Sequence, residues 1–283
     1  MSTLDSAGRV AEENPDVFRS TRRVAFVDSG LGLLGYADAL HTMRPDLGLV
    51  LAFDPDNMPY GPRTPVEVQR LILASARATL PFAPDAIVVA CNTASVHGLE
   101  ALRAELEPAV PVIGTVPAIR PAAVAGGPVA VWATAATTSS DYLRGLVDAF
   151  ASDVETHAVA ALGLAEAIEA GDEGAIAACI EYAAGQTPAG VRSLVLGCTH
   201  YGLVAERIVA ALGEDVTVFD SPVAVARQTL RRIGLSADPT APEAGVDGVL
   251  LSGRPGALPA SWGAFPAGRR LLRRAAGRHT LSS

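Results

Sequence analysis

Two short stretches of this chain place a cysteine between an apolar run and small polar residues. They are VVACNTAS, residues 88–95, and LVLGCTHYG, residues 194–202. Cys91 and Cys198 would each follow a buried strand and precede a helix. A helix N-terminus favours a thiolate, because its free N–H groups and its dipole stabilise negative charge. The pair therefore predicts two thiol acid/base groups that act on one bound molecule from opposite sides.

Other interpretations of the cysteines are less favoured. Either motif cysteine could be a small buried hydrophobe, and a disulfide between them is not expected, because the chain lacks the features of an exported protein. A zinc site needs three or four ligands at suitable spacing. No CxxC, HxxxH or HExxH pattern supports the CTH sequence around Cys198, so we expect no metal. Cys179, in the Ala-rich GAIAACIEYAAG, is predicted to be a core residue of a helix.

Further polar residues near predicted strand ends could complete a site. Asp28 and Ser29, in FVDSGLG, offer a carboxylate to the first thiol and a hydroxyl to a substrate, or they cap a helix. In MPYG, Gly61 beside Tyr60 offers an N–H group to a carboxylate, or the segment is a Pro-Gly turn. His200 can exchange protons with the second thiol, because imidazole titrates near neutrality.

Composition excludes several classes of protein. The chain has 283 residues, is 49% hydrophobic and carries a net charge of −8, which argues against a general binder of nucleic acids or membrane surfaces. All 22 basic residues are arginine, so a pyridoxal-phosphate enzyme is excluded, because its Schiff base needs a lysine. The Arg-rich GRRLLRRAAGRH, residues 268–279, is interpreted as a solvated helix face rather than an anion site.

We expect a soluble, cytoplasmic protein. No apolar run reaches the roughly 18 residues that a membrane-spanning helix needs. The segment MSTLDSAGRVAEENPD has neither the basic leader nor the apolar run of a secretory signal.

Short apolar runs recur along the chain, and each leads into a polar or glycine-containing turn. They include VAFV before Asp28, AIVVA before Cys91, PVAVWA before Thr134 and LVL before Gly197. Between the runs lie segments with helical periodicity, such as TPVEVQRLILASARATL and SDYLRGLVDAF. This alternation predicts an α/β fold with mostly parallel sheets flanked by helices, in which ligands bind at the carboxyl ends of the strands.

The two halves of the chain follow one plan. Nearly the same number of residues separates Asp28 from Cys91 and Thr134 from Cys198. The repeat predicts two pseudo-symmetric lobes that face each other, with the active site in the cleft between them. The expected divisions are a flexible N-terminal tail at 1–22, a first lobe with the C-terminal segment at 23–116 plus 224–283, and a second lobe at 117–223.

Seven motifs together resemble those of the cofactor-independent glutamate racemases of the aspartate/glutamate racemase superfamily, from about Val24 to about Arg232. They are FVDSGLG, DPDNMPYG, ACNTAS, GTVPAIRPA, TAATTSSDY, LGCTHYG and FDS, in the same order and at about the same spacing. The resemblance implies that the chain interconverts L- and D-glutamate without a cofactor and supplies D-glutamate for peptidoglycan. It also implies a homodimer, and in some relatives an association with DNA gyrase.

The resemblance also implies roles for individual residues. Cys91 and Cys198 would be the catalytic thiols, assisted by Asp28 and His200 respectively. Glu169, in LAEAIEAG, matches a family glutamate near the second thiol, and Glu166 is the alternative. The implied substrate-binding residues are Asp28, Ser29, Tyr60, Gly61, Asn92, Thr93, Thr134, Thr137, Thr199 and His200.

Two-base chemistry explains why two thiols are needed. One thiolate removes the Cα proton from one face, and the opposite thiol delivers a proton to the other face, whereas a single base would have to move around the carbon. The carbanionic charge must develop away from water, so we expect the lobes to close over the substrate.

The chain departs from the family pattern at two positions. Leu33 replaces a glycine after DSG, and Gly202 replaces a proline after the CTHY sequence. Both changes would reshape the pocket, so a racemase of the same fold acting on aspartate or another acidic substrate stays an alternative. A non-catalytic regulatory protein with the same fold is the second alternative, and the Arg-rich C-terminus could serve it.

Overall fold

A computed structural model describes residues 22–213 and 215–276. Apart from Arg22, the expected N-terminal tail lies outside this range, as do Arg278 and His279 at the other end. Among the described residues, no helix is both long enough and apolar enough to cross a membrane.

The first sheet has six strands in the order β10-β9-β2-β1-β3-β4. Their bounds are β1 (Arg23–Asp28), β2 (Gly48–Phe53), β3 (Ala86–Val89), β4 (Val112–Gly114), β9 (Val246–Leu251) and β10 (Arg254–Pro255). All neighbours are parallel except β9 and β10. Strands β1, β2 and β3 are almost fully buried on both faces, as their continuous apolar runs predict.

The second sheet has four parallel strands in the order β6-β5-β7-β8. Their bounds are β5 (Val129–Ala133), β6 (Thr156–Ala160), β7 (Ser193–Leu196) and β8 (Thr217–Phe219). This order repeats the β2-β1-β3-β4 part of the first sheet, strand for strand. The expected two pseudo-symmetric α/β lobes are therefore confirmed.

Helices connect and flank the strands. Their bounds are α1 (Leu33–Met43), α2 (Pro65–Thr79), α3 (Asn92–Leu106), α4 (Ile119–Ala125), α5 (Ala135–Thr138), α6 (Asp141–Phe150), α7 (Leu164–Ala170), α8 (Glu173–Gln186), α9 (Ala205–Leu212), α10 (Pro222–Arg232) and α11 (Pro266–Ala276). Short 3-10 turns cover Leu80–Phe82, Thr199–Val204 and Ala260–Ala264. The start of α2 is fixed by a capping box, in which Thr64 and Glu67 satisfy each other's backbone N–H groups.

In the described part of the chain, the backbone passes between the two sheets twice. The first crossing, residues 115–118, leads from β4 to α4, which packs on the second sheet. The second crossing, residues 220–221, leads from β8 to α10, which packs on α1, β3 and β4. The expected lobe boundaries at 116/117 and 223/224 lie close to these crossings and stay a prediction.

The Arg-rich helix α11 is not simply a solvated face, contrary to the expectation. Arg270 forms a two-bonded pair with Asp38 of α1, at 2.7 and 2.5 Å. Arg269 donates to the carbonyl oxygens of residues 263 and 264, and Arg274 lies 3.6 Å from Glu243. Arg270 and Arg274 therefore dock the helix on distant parts of the chain, whereas Arg269 joins it to the preceding 3-10 turn.

Candidate functional site

A cavity of about 170 Å³ lies at the carboxyl ends of the strands of both lobes. It is smaller than the roughly 300–1,000 Å³ of sites for drug-sized ligands, so it suits a ligand as small as an amino acid. Both motif cysteines line it. The other predicted residues in its wall are Ser29, Tyr60, Gly61, Asn92, Thr93, Thr134, Thr137, Thr199 and His200.

The matching positions of the two thiols follow from the repeated sheets. Cys91 follows β3 and occupies the N-cap of α3. Cys198 follows the equivalent strand β7 and occupies the N-cap of a 3-10 turn. Each lobe thus presents one sulfur to the same cavity from an equivalent strand end.

Cys91 is held as a thiol rather than as the expected thiolate. Its side chain is buried, 3.9 Å from the hydroxyl of Ser29. Burial raises the pKa of Cys91 well above its ordinary value, and the negative charge of Asp28 is the second largest cause in the same direction. A hydrogen bond with the N–H group of Ala94, at the start of α3, lowers this pKa but does not outweigh those effects. The position of Cys91 at a helix N-terminus is therefore not sufficient to make it a thiolate.

Asp28 ends β1 behind the cavity and does not line it. Its carboxylate is fully buried and accepts a 2.6 Å hydrogen bond from the N–H of Ser29. Burial raises the pKa of Asp28 to about 7, against opposing effects that include the charge of His200. A carboxyl group that titrates near neutrality beside Cys91 can exchange a proton with that thiol.

The second thiol has a different proton partner. The Cys198 sulfur lies 3.9 Å from Nδ1 of His200, and Nε2 of His200 lies 2.8 Å from Oε2 of Glu169. Glu169 Oε2 also accepts from the N–H of Leu31 at 2.9 Å. Burial acts to lower the pKa of His200, but hydrogen bonds to Cys198 and Glu169 raise it well above its ordinary value. The side chains of Cys198, His200 and Glu169 therefore form a continuous line of contacts from the cavity to the interface between the lobes.

The two glutamates that the sequence offered are separated by the structure. Glu169 bonds to His200 and lies behind the cavity, whereas Glu166 lines it. Both belong to α7, where a spacing of three residues keeps them on neighbouring positions of one face. Glu169 is distinguished by its bond to His200 within the same lobe and by the N–H of Leu31 from the other lobe, and neither contact is visible in a sequence.

Two glycines of the DSGLG segment allow the lobes to approach. A Cβ atom on Gly30 would lie 2.3 Å from Oε2 of Glu169, and one on Gly32 would lie 2.1 Å from Oγ1 of Thr199. Any larger residue there would press directly on the second lobe.

Asn92 lines the cavity, also joins the lobes and keeps one acceptor without a protein partner. Its Nδ2 donates to the carbonyl oxygen of Gly197 at 2.9 Å, and its buried Oδ1 has no protein partner. On the opposite wall, the hydroxyls of Thr134 and Thr137 lie 3.0 Å apart. The site thus offers an amide and hydroxyls that can bind the polar groups of a small substrate.

Among the described residues that line the cavity there is neither lysine nor arginine, and His200 is the only cationic side chain. Helix α3 and the 3-10 turn after Cys198 both begin at the cavity wall. Free backbone N–H groups at such N-termini favour a bound anion, so the site can bind a carboxylate without a lysine or arginine. Within the described residues, no cluster of His, Cys, Asp and Glu could hold a metal ion.

Some cavity residues were not predicted from the sequence, and two expected effects are absent. Met58, Pro59, Pro62, Ala135, Ala136, Ala165 and Gly197 complete the wall. They flank the predicted motifs, which is the signal that could have identified them. Leu33 is fully buried in α1, and Gly202 lies at another surface groove. Neither lines the cavity, so these departures do not reshape it by direct contact.

Comparisons with known proteins agree with this arrangement. A glutamate racemase of Pseudomonas putida is 35% identical over 216 residues, covering 75% of this chain and 81% of that protein. One from Roseiflexus sp. is 35% identical over 215 residues, covering 74% and 79%. The crystal structure of Escherichia coli glutamate racemase in complex with L-glutamate and the activator UDP-MurNAc-ala matches with a TM-score of 0.75 and 28% identity, covering 92% of this chain and 95% of that one.

The family profile described as Asp/Glu/Hydantoin racemase matches residues 36–229. This span contains both thiols and most of the cavity wall. Since the match extends over more than half of the 283 residues, the chain belongs to the Asp/Glu/Hydantoin racemase family.

Proposed function

We propose that the chain racemises glutamate by proton transfer between two thiols. The observation that carries the proposal is the placement of Cys91 and Cys198 at equivalent strand ends of two lobes, on one small cavity. The names and identities of the relatives support glutamate as the substrate.

The two thiols have complementary roles in one turnover. Cys198 acts as the base, with protonated His200 beside its sulfur, and Cys91 acts as the acid, because the pKa of its thiol is raised. The Cα–H bond breaks as the proton moves to the Cys198 sulfur, and the electron pair spreads into the adjacent carboxylate. The proton of Cys91 then forms a new Cα–H bond on the opposite face. The site is left ready for the reverse direction, with Asp28 beside the Cys91 thiolate.

Neutral donors hold the substrate in this proposal. Backbone N–H groups at Gly61 and at the start of α3, with the hydroxyls of Thr134 and Thr199, would bind the two carboxylates. The free Oδ1 of Asn92 would accept from the ammonium group. Such fixed dipoles stabilise the developing negative charge when water is excluded. Supply of D-glutamate to peptidoglycan, a cytoplasmic location, a homodimer and an association with DNA gyrase stay predictions.

The test is incubation of the purified protein with L-glutamate, or separately L-aspartate, in heavy water without added cofactor. We expect D-glutamate with deuterium at Cα, measured by chiral chromatography and mass spectrometry. Conversion of aspartate in place of glutamate would contradict the proposed substrate. If neither amino acid gained deuterium at Cα, the proposed reaction would be contradicted.

Two variants separate chemistry from stability. Cys198→Ala should abolish racemisation, whereas Cys179→Ala should retain it, since Cys179 lies in α8 outside the cavity wall. Racemisation by Cys198→Ala at the parent rate would contradict the two-thiol mechanism.

A further inference from the structure

Three hydroxyl groups form a closed ring beside the cleft. Tyr36 Oη lies 2.9 Å from Thr115 Oγ1 and 2.7 Å from Ser221 Oγ, and the two smaller hydroxyls lie 2.8 Å apart. Each hydroxyl can donate once and accept once around such a ring. Tyr36 and Thr115 are almost completely buried, so breaking the ring would leave polar groups without partners.

The ring lies where the chain changes lobes. Thr115 is the first residue of the first crossing, directly after β4, and Ser221 is in the second crossing, directly before α10. Tyr36 belongs to α1 of the first lobe. The ring thus fastens both crossings to each other and to one helix, although Thr115 and Ser221 are 106 positions apart.

The Ser221 side chain bonds within the ring and does not cap a helix, although its position is typical of a capping residue. It occupies the N-cap of α10, where serine side chains usually accept from a backbone N–H in the first turn. Here no side-chain cap is formed, and the hydroxyl bonds to Tyr36 and Thr115 instead. Stabilisation of α10 alone therefore does not account for this serine.

The ring also connects to the first thiol. The N–H of Thr115 donates to Oγ of Ser95 at 3.0 Å, and the Ser95 hydroxyl donates to the carbonyl oxygen of Val89. Ser95 lies in the first turn of α3, where its own N–H donates to the carbonyl oxygen of Cys91 at 2.9 Å. A continuous set of hydrogen bonds therefore joins the crossings to the backbone that positions Cys91.

We propose that Tyr36, Thr115 and Ser221 are positioning residues that fix the pivot about which the two lobes close. The inference rests on the proposed function, because closure matters for catalysis only when one thiol from each lobe must meet one substrate. A pivot of neutral hydroxyls keeps its hydrogen bonds at working pH, since burial holds the pKa of Tyr36 well above its ordinary value. With the ring intact, both thiols reach Cα within one closed state.

The test compares Ser221→Ala and Thr115→Val with Thr115→Ser, which keeps a hydroxyl, and with the control Thr229→Val. Thr229 is a buried threonine of α10 whose hydroxyl bonds within its own helix, to the carbonyl oxygen of Val225. The first measurements are kcat and KM for both enantiomers. The second is made in heavy water with L-glutamate as the substrate, and it compares the amount of deuterium in the recovered L-glutamate with the amount of D-glutamate formed.

We expect Ser221→Ala and Thr115→Val to lower kcat by about tenfold, the scale of one lost buried hydrogen bond, and to raise KM. Deuterium in recovered L-glutamate should rise, because a misplaced Cys91 delays the second proton transfer. The thiol that removed the substrate proton then has time to exchange it for a solvent deuteron and to return that deuteron to the same face. Thr115→Ser should restore parent values. Equal kinetics and deuterium ratios in the ring variants and in Thr229→Val would overturn the inference while leaving the proposed function intact.

A second readout does not depend on activity. Backbone hydrogen exchange should become about tenfold faster in residues 112–116 when Ser221 is replaced, and in residues 217–221 when Thr115 is replaced by valine. This transmitted effect should appear even if the parent protein racemises neither amino acid. Faster exchange only around the replaced residue would contradict a shared pivot.

Discussion

At the scale of residues, the two thiols are chemically different although their positions are equivalent. Cys91 has a buried carboxyl group, Asp28, as its titratable neighbour, whereas Cys198 has the imidazole of His200 and, behind it, Glu169. Motifs at the ends of predicted strands pointed to Asp28 and His200, whereas only the resemblance to the family pointed to Glu169, which lies in α7. The protonation of Cys91 could not be predicted, since it depends on the burial that the folded lobes create.

Asp28 provides a test of that burial. Its pKa is raised from 3.8 to about 7, so between these pH values the folded state binds more protons than the unfolded state, and stability falls as pH rises. The Asp28→Asn protein lacks this loss. We expect it to gain stability relative to the parent from pH 4 to pH 7, by at most about 4 kcal/mol, since one pKa unit corresponds to about 1.4 kcal/mol.

Urea unfolding of both proteins across this pH range measures the difference, and racemisation is assayed alongside. The variant should lose activity while it gains stability at neutral pH. A stability difference that does not change with pH would mean that Asp28 titrates at its ordinary value.

At the scale of elements, continuous apolar runs predicted the inner strands well, but β6 and β9 were missed. β6 is an edge strand of the second sheet, and most of its residues are only partly buried. β9 is interrupted by Asp247 and Gly248 and is likewise mostly half-buried. Such strands need few apolar residues, so their sequences lack a strong signal. The docking of α11 could not be predicted for another reason. An arginine in a sequence does not indicate which distant carboxylate it will pair with, as Arg270 does with Asp38.

The docking of α11 makes Arg270 a testable residue. Arg270→Met leaves the largely buried carboxylate of Asp38 without its two-bonded partner. We expect a loss of roughly 1–3 kcal/mol, as for a buried acceptor that loses a charged partner. Thermal unfolding measures it, with Arg273→Met as the control at an exposed position of the same helix. Equal effects of the two substitutions would show that the ion pair does not hold the helix.

At the scale of the whole molecule, the site exists only where the two lobes meet. The repeat in the sequence predicted the two lobes and the facing thiols. It did not predict how closely Gly30 and Gly32 approach the second lobe, because such distances depend on how the lobes pack.

Gly32→Ala tests this approach. The added methyl group would lie 2.1 Å from Oγ1 of Thr199 in the second lobe, so the lobes must separate to accommodate it. It would also lie 2.5 Å from Oδ2 of Asp28 in its own lobe, so that carboxylate must shift. We expect kcat/KM to fall by about 100-fold, the effect of misplacing reacting groups by about 1 Å. Gly145→Ala is the matched control, because a Cβ there meets no atom within 4 Å. Parent kinetics in Gly32→Ala would mean that the cleft tolerates a wider separation.

The strands of the first sheet come from two separate parts of the chain, before and after the second sheet. This has a consequence for folding during synthesis on the ribosome. β2 pairs with β9, and β9 pairs with β10, so the first sheet cannot be completed until residue 255 has emerged. The second sheet uses only residues 129–219, which form a contiguous stretch of chain. We therefore expect the lobe that begins later to finish folding earlier, while the N-terminal strands wait with an open edge. During that interval, the exposed side of β2 is the part of the nascent chain most in need of protection from aggregation.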